Sequence, residues 1–225
     1  MKFCSNVVAG LICIVVTGCA GVQGNGSEQV LAKGKKFTVS DKSFPYRQLR
    51  IEDFQAESLD RGAGNTINHV QARSCISIQT AADTRIKKTG SADQKMYEGI
   101  LSNVSYTAIF EPYCSWWNPK VAENRLPYVL EHEQIHFALT ELSARKLNQK
   151  VQQTFKPEKV YGTTAQEVED RLRQKVRLAS KRAIAMSNDD HSAFDKQTSF
   201  IYNPKKQAIW LDNVNRQLAE MAVYK

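Results

Sequence analysis

The sequence has few of the residues that most often build metal and redox sites. Of its 225 residues, five are cysteines and four are histidines. Three of the cysteines, Cys4, Cys13 and Cys19, lie at the N-terminus, which leaves only Cys75 and Cys114 for the rest of the chain. Neither lies in a C-x-x-C spacing, which argues against a zinc-thiolate pair, although that alternative stays open. In an oxidising compartment the two cysteines are expected to form one disulfide.

Two further absences limit the class of protein. After the first 20 residues no apolar run is long enough to span a bilayer, and no internal repeat is evident. The 31 basic and 23 acidic residues give a net charge of +8, but the basic residues are not clustered with aromatic ones. Nucleic acid is therefore not an expected partner. The basic surface favours anionic envelope material, or is simply solvated without a partner.

The N-terminus has the layout of an export signal. Lys2 supplies a positive charge, and residues 7–16 are mostly apolar. The segment Val16-Thr17-Gly18-Cys19 resembles the lipobox of bacterial lipoproteins, which implies cleavage before Cys19 and attachment of lipid to that cysteine. The resemblance implies a protein anchored in the bacterial cell envelope, at the outer membrane, that faces the periplasm or the exterior. An ordinary secretory signal and a short membrane helix are the alternatives.

Composition divides the chain into three parts. Residues 1–18 are the predicted signal peptide. Residues 19–36 are rich in Gly, Ser, Asn, Gln and Lys, as is typical of a flexible tether. Residues 37–225 have the length of one globular domain. Nothing in the sequence indicates the oligomeric state.

Within that domain, strand patterns come first and helix patterns follow. Short β-branched or alternating segments predict strands at 37–39, 49–51, 74–80 and 104–110. A helical period then begins at Pro127 and runs to about Gln153. This order predicts an α+β domain, with a small, largely antiparallel sheet followed by a helical half.

Two more helices are predicted after the first. The second opens at Thr164 with a capping-box pattern completed by Glu167, and the third begins near Asn203-Pro204. Their apolar stripes are expected to face the core. The stripe residues are Val168, Leu172, Val176, Ala179, Ala183 and Met186 on the second helix, and Ile209, Leu211, Val214, Leu218 and Met221 on the third.

The first predicted helix carries the most informative motif of the chain, His132-Glu133-Gln134-Ile135-His136. Two histidines four residues apart lie on one face of a helix and can reach the same zinc ion. Glu133 is then placed to act as general base toward a metal-bound water. The sequence therefore predicts a zincin-type helix with His132 and His136 as ligands of Zn²⁺ and Glu133 as the catalytic acid–base group. The alternative is a helix with a merely polar face.

A catalytic zinc site needs a third protein ligand and an open fourth position. We expect the third ligand to be His191, which lies just past the end of the second helix and could fold back onto the first helix. Asp195 and Asp190 are oxygen-donor alternatives. Glu141 lies about 140° around the helix from His136, which favours a salt bridge or a supporting role over metal binding.

The motif and three other stretches resemble the bacterial family called domain of unknown function 922, whose members are described as secreted zinc-dependent proteases. His132-Glu133-Gln134-Ile135-His136-Phe137 carries the specific part of the likeness. The other stretches are Leu49 to Phe54, Trp116-Trp117, and Phe194 to Thr198 followed by Gln207 and Trp210. The resemblance implies an envelope peptidase that acts on a protein or peptide substrate. The family's His-Gly after the last stretch is Phe200-Ile201 here, which leaves open a non-catalytic lipoprotein with a degenerate or structural metal site.

Overall fold

The computed structural model describes residues 42–58, 70–90, 96–199 and 202–225, with side chains described throughout except at 182–189. The predicted signal peptide, Cys19, the tether and the strand at 37–39 lie outside these residues. The described part of the chain is an α+β fold with a small antiparallel sheet and a helical half, as the sequence predicts. No helix in those ranges is both long enough and apolar enough to cross a membrane.

Two long strands form the centre of the sheet. β3 (Ile76–Lys88) and β4 (Tyr97–Phe110) pair antiparallel over their whole length, with one register shift between Asp83 and Thr84. The other edge of β4 is shared by β1 (Phe44–Pro45) at one end and β6 (Glu158–Gly162) at the other. Two shorter strands, β2 (Ala72–Arg73) and β5 (Trp116–Trp117), form a separate antiparallel ribbon.

Three helices follow the sheet. α1 (Leu126–Thr154) has proline in its first turn, and α2 (Ala165–Thr198) begins where the Thr164 hydroxyl accepts a hydrogen bond from the backbone N–H of Glu167. The Glu167 carboxylate in turn accepts from the N–H of Thr163, one residue before the predicted partner. α3 (Pro204–Glu220) is capped by the Asn203 side chain. These caps satisfy backbone donors that a helix start leaves unpaired.

Three local predictions were wrong. Residues 49–51 do not form a strand, because the chain turns there into a 3-10 helix at Ile51–Asp53. Ile209 is 52% exposed and Gln207 takes the buried position on α3. The second helix also continues much further than expected and contains His191. Strand β6 gives no strong alternating signal in the sequence, since only its Val160 is a buried apolar side chain.

α1 is the central element of the fold. One part of its surface packs on the sheet and α2, in a cluster that includes Ala144, Leu147 and Val168. Another part packs against α3 and the end of α2 through Ile135, Leu142 and other buried apolar residues. Burial of each such side chain is worth about 1.5 to 3 kcal/mol. Because both sides of α1 are covered, the helix that carries the histidines is held firmly in place.

Cys75 and Cys114 form a disulfide, as the sequence predicts, so they are not a pair of zinc thiolates. The bridge joins the start of β3 to the 3-10 turn Pro112–Cys114, across a sequence separation of 39 residues. Closing a loop of that length is worth about 4 kcal/mol in the chain-entropy treatment. The N–H of Cys75 also donates to Ser115 Oγ at 2.9 Å. The backbone beside Ser74 is therefore fixed from two directions.

Candidate metal centre

Three side chains from two helices bring one donor atom each to a common point. His132 and His136 lie one turn apart on α1, and Asp195 comes from the last turns of α2. Nε2 of His136 is 3.2 Å from Nε2 of His132 and 3.1 Å from Oδ1 of Asp195, and the third side of this triangle is 3.3 Å. This group is suited to holding a metal ion.

The triangle matches the spacing of ligands around a small cation. In a tetrahedral site with bonds of 2.0 to 2.1 Å, neighbouring ligand atoms are separated by about 3.3 Å. Two imidazole nitrogens at hydrogen-bond distance can share only one proton, since two N–H groups would repel each other. A cation placed among the three atoms satisfies all of them at once. The donor set therefore fits a metal ion.

The outward nitrogen of His132 also has a partner. Nδ1 of His132 lies 3.5 Å from the hydroxyl of Thr198, which itself donates to the backbone carbonyl of Phe194. The hydroxyl oxygen can therefore only accept from the ring, and a proton on Nδ1 leaves the lone pair of Nε2 free for a ligand bond. Partners of this kind orient the histidines of metal sites.

His191, the expected third ligand, lies outside the triangle, and Asp195, one of the predicted alternatives, is part of it. The structure brings Asp195 to the inward-facing nitrogens, while His191 lies at the opposite side of the His136 ring, with its Nδ1 2.8 Å from Nδ1 of His136. Burial and the neighbouring His136 lower the pKa of His191 to about 3, so its ring is neutral. Glu141 forms an ion pair of 2.8 Å with Arg145, the role expected from its position on the helix. Asp190 is not part of the group.

The negative charge of Asp195 and the positive charge of His136 stabilise each other. Burial alone raises the pKa of Asp195, but its contacts with the rings of His132 and His136, together with the charge of His136, outweigh burial and hold that pKa far below its usual range. The hydroxyl of Ser199 adds a hydrogen bond of 2.8 Å to the same carboxylate oxygen. For His136 burial lowers the pKa, but the hydrogen bond and charge of Asp195, with the charge of Glu133, raise it above the ordinary value.

Glu133 is buried next to the histidines without a cationic partner in the described residues. Only 6% of it is exposed, and its Oε2 accepts a 2.5 Å hydrogen bond from the hydroxyl of Ser74. Its other oxygen makes no hydrogen bond to any described residue. Ser74 precedes the disulfide-bonded Cys75, so the sheet half of the fold holds one carboxylate oxygen in place and leaves the other available.

Aromatic rings close the inner side of the centre. The fully buried Phe194 stacks on His132 with ring centroids 4.5 Å apart, and its edge meets His136 at 5.1 Å. Trp210 from α3 packs against the other side of Phe194 at 5.6 Å. The outer side is open, because the Asp195 side chain is 35% exposed and Ser199 is exposed. A solvent molecule or substrate group can therefore approach from that side.

The sequence gives no signal for Ser74, for Ser199 or for the role of Thr198 at this centre. A single serine or threonine forms no recognisable spacing pattern. Each of these residues matters only because the fold brings it into contact with a motif residue that is 59 to 67 positions away in the sequence. No protein-family model, curated protein or solved structure matches the chain.

The raised pKa of His136 predicts how metal binding depends on pH. A metal on Nε2 must displace a proton from His136, so we expect metal affinity to fall as the pH decreases through the raised pKa, beginning above the ordinary value of 6.5. Asp195 stays ionised over that range and contributes no pH dependence. Calorimetric titration with Zn²⁺ near pH 6.5, in buffers of different ionisation enthalpy, should show proton release by the protein. A binding enthalpy that is independent of the buffer would contradict this.

Proposed function

We propose that the protein is a zinc-dependent peptidase anchored to the bacterial cell envelope. The observation that carries the proposal is the triangle formed by His132, His136 and Asp195, with sides of 3.1 to 3.3 Å, next to the carboxylate of Glu133. The resemblance to the domain of unknown function 922 family supports it. Residues that carry that resemblance, among them Phe194, Asp195 and Thr198, surround the centre.

Zinc is the metal that this donor set favours. Two imidazoles, one carboxylate and an open side are the usual composition of a catalytic zinc site. The same donors also occur in non-haem iron enzymes, where they occupy one face of an octahedron. The H-E-x-x-H spacing distinguishes the two cases, because it places an acid next to the first ligand, and hydrolysis requires a base there.

Glu133, Ser74 and Phe194 have different roles in the proposed hydrolysis. Zinc, when bound, supplies a Lewis acid that polarises the scissile carbonyl and lowers the pKa of the attacking water. Glu133 takes the proton from that water through the oxygen that Ser74 does not occupy, and then passes the proton to the leaving amine nitrogen. Ser74 holds the carboxylate in position by its hydrogen bond to Oε2. Phe194 excludes water from the inner side of the site.

The proposed location rests on the N-terminal sequence. The lipobox resemblance implies a lipid on Cys19, which would attach the domain to the membrane through the tether at 19–36. The disulfide between Cys75 and Cys114 fits an oxidising compartment such as the periplasm. We propose that the substrate is a peptide bond in an envelope or cell-wall protein, because those are the proteins that such an anchored enzyme can reach.

Metal analysis combined with a peptidase assay on the purified full-length protein tests the proposal. We expect one zinc ion per chain, and hydrolysis of a fluorogenic peptide library that is lost after treatment with a chelator and restored by added zinc. Iron in place of zinc would contradict the choice of metal. Stoichiometric zinc without hydrolysis of any peptide would instead favour the non-catalytic lipoprotein with a structural site.

A further inference from the structure

We propose that His191 is a positioning residue for His136, which it fixes by closing a ring of three hydrogen bonds with Thr140. It does not bind the metal itself. The inference deepens the proposed function and rests on it, because it assigns a role to a residue beside the same centre. Three contacts define the ring: His136 Nδ1 to His191 Nδ1 at 2.8 Å, His191 Nε2 to Thr140 Oγ1 at 3.3 Å, and Thr140 Oγ1 to the His136 carbonyl at 3.1 Å.

The direction of each hydrogen bond follows from Thr140. Its hydroxyl proton is donated to the backbone carbonyl of His136, four residues earlier on α1. Its oxygen must then accept from Nε2–H of His191. A neutral imidazole with its proton on Nε2 presents a lone pair at Nδ1, so His191 accepts from Nδ1–H of His136. Every donor in the ring meets an acceptor, and the ring therefore specifies one tautomer for each histidine.

Side chains of α2 contact both nitrogens of the His136 ring. His191 and Asp195 are four residues apart on α2, as His132 and His136 are on α1, so each pair lies on one helix face. His191 contacts Nδ1 of His136, and Asp195 contacts Nε2 of the same ring. The rings of His136 and His191 are also nearly parallel, at 6° with centroids 5.1 Å apart. A rotation of the His136 ring would break both contacts at once.

The geometry also excludes His191 as a ligand of the same ion. Its Nδ1 is directed at the outer nitrogen of His136, and its Nε2 is directed at Thr140. Both ring nitrogens are therefore used away from the triangle. Loss of a partner that orients a metal-bound histidine usually weakens metal binding by about 10- to 100-fold. Loss of a ligand should weaken it further and change the geometry around the metal.

Three variants and one control separate these roles. We expect His191→Ala to lower zinc affinity about 10- to 100-fold, while the d–d absorption of the cobalt-loaded protein keeps its band positions because the ligand set is unchanged. His191→Asn places an amide oxygen near the position of Nδ1 and should recover most of the affinity. Thr140→Val should lower zinc affinity by a smaller factor. Thr154→Val is the matched control, because its hydroxyl makes the same bond to the carbonyl four residues earlier, at 2.8 Å, far along α1.

A spectroscopic measurement on the unaltered protein tests the ring even if a variant does not fold. Proton–nitrogen correlation spectra of the imidazole rings should show His191 protonated on Nε2 only, and His136 protonated on Nδ1 with and without zinc. A proton on Nδ1 of His191 would overturn the proposal, as would a change of the cobalt bands in His191→Ala. If the protein binds no zinc but shows these tautomers, the proposed function fails and the hydrogen-bonded ring stands.

Discussion

Glu133→Gln is expected to retain zinc and to lower kcat/KM for peptide hydrolysis by about 10²- to 10⁴-fold, the usual contribution of a general acid–base group. The amide has nearly the same shape as the carboxylate and can still accept from Ser74, so the site should keep its structure. It cannot take a proton from water at neutral pH. The measurements are zinc content by elemental analysis and initial rates on a fluorogenic peptide.

Glu123→Gln is the matched control for that variant. Glu123 is an exposed acid in the 3-10 turn Glu123–Arg125 just before α1, and the substitution makes the same change of charge. Its rate should equal that of the unaltered protein. Equal rates for both variants would show that Glu133 is not the base. Loss of zinc from Glu133→Gln would mean that the carboxylate supports the metal instead.

Asp195→Ala is expected to lower zinc affinity by more than about 100-fold, beyond the range typical of residues that only orient a ligand. Asp195 supplies the only oxygen of the triangle, and His132 and His136 alone would leave two protein ligands where a catalytic site needs three. Competition with a chromophoric chelator gives the affinity. The cobalt-loaded variant should also show altered absorption bands, because one ligand is replaced by solvent.

The control for Asp195→Ala is Asp190→Ala on the same helix. Asp190 is partly exposed and is not part of the triangle, so its removal should leave zinc affinity unchanged. The two substitutions remove the same carboxylate at positions five residues apart. A difference in zinc affinity between them therefore results from the position of the carboxylate and not from the change in net charge. An equal loss from both would indicate long-range electrostatics instead of direct coordination.

Elements with strong periodicity could be predicted from the sequence. The three helices that begin near Pro127, Thr164 and Asn203 could be predicted because a capping residue or a first-turn proline precedes an apolar stripe in each case. The segment at 49–51 reads as a strand by composition alone. There the backbone N–H of Leu49 donates to the buried Gln134 side chain on α1, a tertiary contact that no local pattern reveals.

The two candidate ligands on α1 could be predicted because four-residue spacing is a property of one helix. The third donor could not, since it depends on how α2 crosses α1. The sequence does not show that His191 and Asp195 lie on one face of α2, because the apolar stripe that predicts this helix ends before them. The way α2 crosses α1 decides which of them reaches the inner nitrogens. That crossing is held by packing, with Phe194 fully buried against His132 and His136.

The donors come from helices separated by 59 residues between His136 and Asp195. An ion bound there would act as a removable cross-link, tying the far end of α2 to the middle of α1. The free energy of metal binding then adds to the free energy of unfolding, because the ion binds the assembled helix pair and not the extended chain. Withdrawal of the ion should therefore loosen the end of α2 first, while the sheet and the disulfide keep their arrangement.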